Sequence, residues 1–220
     1  MIAAAGLRWI LTLLFAVSVV HAVWRAVLPG TRAADRVDHT LHAAMGVLMT
    51  AMAWPWGMDL SAAPQVVLFS AGALWFAVAA LLRFRADGSR IAAVLAAWPH
   101  VVMTAAMAWM VAAMDASGSM AGHSGGGGMH EMHMAGADGL ASMSLSGTGP
   151  RLVAGVLAAV LAGIGLVWLT RALDLARAWD PAPGRAPRTA APGEGVAGAL
   201  AFGCHASMAL GMAVMFVLLV

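Results

Sequence analysis

The stretch His42-Ala-Ala-Met45-Gly-Val-Leu-Met49-Thr-Ala-Met52 decides how the rest of the chain is read, because its spacing returns twice. The second copy is His100, Met103, Met107 and Met110, continued by Met114; the third is His205, Met208, Met212 and Met215. At roughly 100° per residue, offsets of 0, 3, 7 and 10 fall within an arc of about 80° on an α-helix. Each copy is therefore a single stripe along about 15 Å of helix axis. Three such stripes are expected to face one interior as a ladder of soft metal ligands.

Composition supplies the setting. Of 220 residues, 62% are hydrophobic and only 10% charged, and the mean hydropathy is +0.85, which places the long apolar runs in a bilayer. A formal net charge of +2 leaves no electrostatic footprint for nucleic acid. The single Cys204 excludes an internal disulfide framework.

The expected fold is all-α: a polytopic membrane protein with 1–220 as a single domain, a six-transmembrane-helix bundle. Spans are expected at about 7–28, 38–57, 64–83, 91–114, 151–172 and 196–219, each near the length that a bilayer requires. The first run, preceded by Arg8, is too long for a signal-peptide core, and Trp24-Arg25 is a poor cleavage context. Orientation follows from arginine. Arg25, Arg32 and Arg36 lie between spans one and two, and Arg83, Arg85 and Arg90 between three and four. Arg171, Arg177, Arg185 and Arg188 follow span five, against only Arg8 and Arg151 on the other side. That bias puts both termini outside the cell membrane. Spans two, four and six, which carry the stripes, then run parallel, with histidine as the inner rung and methionine rungs above it.

Two connections stand out. Residues 115–149 hold Met120, His123, Met129, His130, Glu131, Met132, His133, Met134 and Met143 among small residues, with four glycines at 125–128. This loop is expected to be mobile and extracytoplasmic, a capture site at the mouth of the ladder. Residues 180–195 are rich in Pro, Gly and Ala and read as a cytoplasmic linker.

Thioether sulfur is a soft, neutral ligand that favours Cu(I), and imidazole accepts copper in either state. Three sulfurs bind a monovalent cation without placing an anion in hydrocarbon, where buried charge is costly. Methionine is also a common core filler. Two features separate this pattern from filling. The expected spans one, three and five contain no Met, and the His-led spacing recurs in every even span.

Other residues are weighed against plainer roles. His39, one turn before His42, is a further candidate ligand, with Asp38 or Asp35 as its outer partner. His21 lies in a span without Met and is assigned to helix–helix hydrogen bonding. Cys204 sits about 100° around the helix from the stripe and reads as a small packing residue. Pro99 interrupts span four and frees the carbonyl of Leu95. Trp24, Arg25 and Trp168 read as interfacial anchors, and Gly155, Ala159 and Gly163 as a face for close helix packing. No phosphate-binding loop, HExxH, paired-Cys motif or serine elbow is present, so no enzyme activity is expected.

Through Arg36-Val-Asp38-His39-Thr-Leu-His42-Ala-Ala-Met45 and Ala53-Trp-Pro-Trp-Gly-Met58, the chain resembles an actinobacterial integral membrane family of unknown function. The resemblance implies a membrane location and nothing about activity. The Met-x-x-x-Met pairs at 45–49, 103–107 and 208–212 are similar to the motif of the high-affinity copper transporters, by analogy of motif alone. The expected function is Cu(I) binding, with transport or buffering and a copper chaperone or copper enzyme as partner. The alternatives are a haem-binding electron-transfer subunit, using two of the three histidines or a His and a Met, and a non-catalytic assembly protein.

Overall fold

A proline and a glycine start the architecture. Pro29 and Gly30 occupy the centre of the turn after the first helix, and Gly30 takes φ +85°, the left-handed conformation such a turn demands. Thr31 closes it, its hydroxyl donating to the carbonyls of Leu28 (2.9 Å) and Arg25 (3.2 Å). The chain then doubles back on itself.

The computed structural model describes residues 5–54, 56–57, 60–87, 90–123, 147–179 and 194–220, and these form six helices. They are α1 (Ala5–Val27), α2 (Ala33–Ala53), α3 (Ala62–Asp87), α4 (Arg90–His123), α5 (Thr148–Trp179) and α6 (Glu194–Val217). Consecutive pairs are antiparallel hairpins: α1 packs along α2, α3 along α4, and α5 along α6. Each odd helix also touches the inner helix of another hairpin: α1 meets α6, α3 meets α2, and α5 meets α4. The packing order is cyclic, so α2, α4 and α6 surround a common axis with α1, α3 and α5 in the seams outside. Burial agrees: 44% and 39% of the span residues of α4 and α6 are enclosed, against 22–33% in α1, α3 and α5.

Close approach replaces the hydrophobic driving force that a bilayer does not supply between helices. Phe15 of α1, wholly buried, is wedged between α2 and α6. A Cβ on Gly46 would come 2.5 Å from Val19 Cγ2 and 3.6 Å from the Phe15 carbonyl, and one on Gly211 would strike the Phe15 ring. Gly165 of α5 lies equally close to Leu210 of α6.

The expected bundle is met in part: it has six helices, and five of them among the described residues are by themselves long and apolar enough to cross a membrane. α2 is the exception, because Asp35, Arg36, Asp38, His39 and His42 crowd its first half. Helices also run beyond the expected spans. α4 continues to His123, making residues 115–123 helical where a loop was expected, and α3 and α5 extend to Asp87 and Trp179. Internal hydrogen bonding lets a helix leave a membrane without penalty, so hydropathy alone understates its length. The remainder of the expected loop (124–146) and linker (180–193) lies outside the described residues, with Met129, His130, Met132, His133 and Met134 among them. Finally, Gly155 and Gly163 do not make the close helix contact, since a Cβ on either would meet nothing within 4 Å.

These contacts predict opposite outcomes for two identical substitutions. Gly211→Ala, driving a methyl into the Phe15 ring, should lower stability by about 1–3 kcal/mol, whereas Gly155→Ala should leave thermal unfolding in detergent unchanged or slightly raised.

Candidate metal centre

Alternate helices of an up-and-down bundle run parallel, so α2, α4 and α6 present equal offsets at equal heights. The outcome is a triangle of imidazoles. His42, His100 and His205 stand with ring centroids 4.9–5.1 Å apart, each pair edge to face. One ligand-capable nitrogen from each lies within 4.8 Å of the other two.

The backbone orients two of the rings. His42 Nδ1 lies 2.7 Å from the Asp38 carbonyl, and His100 Nδ1 lies 3.2 Å from the Ala96 carbonyl, both one helical turn earlier. A carbonyl only accepts, so each Nδ1 carries the proton and each Nε2 keeps its lone pair. His42 is 5% exposed and its Nε2 has no hydrogen-bond partner. A buried acceptor left unmade costs about 1–3 kcal/mol, and this nitrogen has its lone pair available to a further partner. The arrangement is that of metal-binding histidine, where the second ring nitrogen bonds a carbonyl and sets the tautomer.

Aromatic walls close two sides of the triangle. Phe76 of α3 stands 5.5 Å from the His42 ring and 5.3 Å from His100. Trp168 of α5 stands 5.3 Å from His100 and 5.1 Å from His205. Trp168, 6% exposed, is thus a wall of the site and not the interfacial anchor that its position near the end of an apolar run suggests. Trp24, 53% exposed, does keep an outward position. The third side faces α1, where the inward residues are small: Ser18 and Ala22 are both buried. Ser18 hydrogen-bonds Ser207 (2.7 Å) and the Cys204 carbonyl (3.3 Å), tying α1 to α6 beside the triangle.

Directly along the stripes come the methionines. Met45, Met49, Met103, Met107, Met110, Met208 and Met212 are all buried to 2% exposure or less and belong to one core cluster. Met52, Met114 and Met215 pack against that cluster as partly buried residues at its far end. There Trp54 closes over α2, its indole N–H donating to Thr12 (3.1 Å), with Trp9 edge-on at 5.2 Å and the Arg8 guanidinium over its ring.

On the opposite side a cavity of about 630 Å³ opens among Arg25, Arg32, Asp35, Asp38 and His39, and its floor is the three histidines. His39 therefore lines the approach and is not one of the triad. Trp75 of α3 donates to Asp38 Oδ1 at 2.7 Å, bracing the turn whose carbonyl orients His42. Cys204 stands outside the triad and lines a separate apolar groove between α1 and α6. His21 has its ring 6.3 Å from Trp24 of the same helix. Of the loop candidates, Met120 and His123 fall on the last turns of α4, and the others lie outside the described residues.

Sequence reasoning missed Phe76, Trp75 and the changed role of Trp168. An aromatic residue in an apolar helix carries no mark of which face it occupies, so only the packing assigns it.

Residues 34–219 match the family described as a domain of unknown function, DUF5134. The chain is 35% identical over 109 residues to the uncharacterized protein Mb0995 of Mycobacterium bovis and to the uncharacterized proteins MT0998 and Rv0970 of Mycobacterium tuberculosis. That alignment spans 50% of this chain and about half the length of each curated relative. No solved structure matches it.

The Trp75–Asp38 hydrogen bond yields a stability prediction. Trp75→Phe removes a donor to a carboxylate and should cost about 1.5–3 kcal/mol, while Trp24→Phe on the outer surface should stay within about 0.5 kcal/mol; thermal unfolding of the two variants in detergent compares them directly.

Proposed function

The chain belongs to the DUF5134 family, and from that premise we propose that it is a membrane Cu(I)-binding protein that moves or buffers copper along the axis between α2, α4 and α6. One observation carries the reading: three histidines on alternate helices converge within 4.8 Å while the methionines of the same stripes fill one buried cluster. Helix packing needs neither. Leucine would fill the interior with better-defined rotamers, and three contacting imidazoles add polar atoms that a core must then satisfy.

The chemistry supports a soft monovalent ion. Among the described residues the buried polar side chains are Ser18, His42, Gln65 and Thr104, with no carboxylate among them. A neutral sulfur-lined interior accepts one positive charge at far lower cost than two. Several similar weak sites in series also let an ion leave each as readily as it enters.

In this reading all six helices span the plasma membrane, including α2, whose polar first half is sheltered by its neighbours. Both termini lie outside, following the arginine bias. The cavity among Arg25, Arg32 and Asp35 then opens to the cytoplasm, and the Met/His-rich segment at 115–149 collects ions at the other end. A cytoplasmic copper chaperone or copper enzyme is the natural partner at the cavity. The protein acts here as a binding and transfer protein without catalysis.

The haem alternative is less well supported. The imidazoles contact one another edge to face at 4.9–5.1 Å, with no slot between any pair for a flat macrocycle held by two axial ligands.

Changing Met49, Met107 and Met212 together to Leu keeps volume and hydrophobicity while removing sulfur. Protein grown with added copper should lose at least one copper per chain in this variant and elute unchanged in gel filtration. Equal copper in variant and parent contradicts the proposal.

A further inference from the structure

The triad and the methionine rungs differ in three respects, and each difference points the same way. First, the donors: the triad offers three borderline imidazole nitrogens, whereas the rungs offer only soft thioether sulfur. Second, the access: the histidines form the floor of a polar cavity, while the methionines beyond them are sealed in the core. Third, the polarity: Asp35 and Asp38, one to two turns before His42 on the same helix, line that cavity together with Arg25 and Arg32, so the approach is polar and open to solvent. Among the described residues, the buried side chains include no acid.

We infer that His42, His100 and His205 form a site of their own for a divalent borderline cation of the Zn2+ or Cu2+ class, separable from the Met rungs. The inference rests on the metal-binding reading above and divides it into two stations. The fit is close. Three nitrogens at mutual distances up to 4.8 Å enclose a centre no more than about 2.8 Å from each, against roughly 2.0–2.1 Å for an imidazole–zinc bond. Rotation of the rings by a fraction of an ångström closes the difference. Two rings are already held by their Nδ1 contacts to backbone carbonyls, and the Nε2 of buried His42 has no other partner. Three protein nitrogens leave a fourth tetrahedral position. The cavity is the direction from which water or an exchangeable ligand reaches it.

Electrostatics then makes the triad a filter. A divalent ion is tolerated at the cavity floor, where water and a polar lining reach it and Asp35 and Asp38 offset the charge of Arg25 and Arg32. One step further it meets only neutral sulfur in a low-dielectric core, and the cost of burying charge grows with the square of that charge. A divalent ion held at the histidines does not pass to the methionines, whereas a monovalent soft ion exchanges between the two stations.

Zinc, which has no redox chemistry and does not seek thioether, is the probe. The purified full-length chain is titrated with Zn2+ alone and, separately, with Cu(I) under reducing conditions. His205→Phe, which keeps an aromatic ring in the cluster and removes its nitrogens, should bind one Zn2+ fewer per chain than the parent and show the same number of Cu(I) held by the Met rungs. His100→Gln should repeat that pattern, and its retained Cu(I) shows that the bundle is intact. The Met49/Met107/Met212-to-Leu variant should do the reverse, keeping zinc and losing Cu(I). If zinc stoichiometry is the same in parent and His205→Phe, the divalent site is refuted while the Cu(I) ladder stands. If zinc is lost in the methionine variant too, the two stations are one site and the inference fails. If Cu(I) is bound equally by parent and methionine variant, the ladder fails and the zinc comparison still judges the triad.

Discussion

A polar atom inside an apolar bundle has to find a partner, and that constraint organises this molecule. The imidazole nitrogens of His42, His100 and His205 cannot be satisfied by lipid, and the helices that carry them use every backbone group internally. Packing them against one another and against Phe76 and Trp168 solves the problem of shape. It leaves the lone pair of His42 Nε2 unpartnered.

The cyclic order of the hairpins is how this is achieved. Each hairpin supplies one inner helix with a His–Met stripe and one outer helix that seals a seam. Glycine sits where an outer helix must come closest, at Gly46 and Gly211 around Phe15 and at Gly165 beside Leu210. Three inner helices with the same offsets need only a common starting height. The seams supply that, through contacts such as Phe15 on α2 and α6 and Trp168 between His100 and His205. The result is a threefold arrangement drawn from a single chain, with a polar approach at one end and a Trp54–Trp9–Arg8 cluster at the other.

Much of this could be read from the residues because the pattern is periodic. A histidine followed by methionines at helical spacing designates one face, and its recurrence on alternate apolar segments makes those faces meet. What could not be read is whatever depends on contact and not on period. Gly155, Ala159 and Gly163 form a small-residue stripe as good as any, yet the close approach is at Gly165, one face away. Trp168 looked like an anchor because indole is common at membrane interfaces, and only the neighbouring helices show that it faces inward. The span expected at 38–57 leaves out the first turn of α2, since the charges that open the cavity lie in the opening turns of that helix. The helical extension through residues 115–123 was hidden because an abundance of Gly and Ser nearby suggested an earlier end.

In the proposed function, sulfur from three parallel helices surrounds one ion. X-ray absorption at the copper edge of the purified, Cu(I)-loaded chain measures it most directly. The expected result is a shell of two or three sulfur scatterers at about 2.3 Å, the distance typical of a soft sulfur–metal bond. A first shell made only of nitrogen and oxygen, with copper bound, would contradict it.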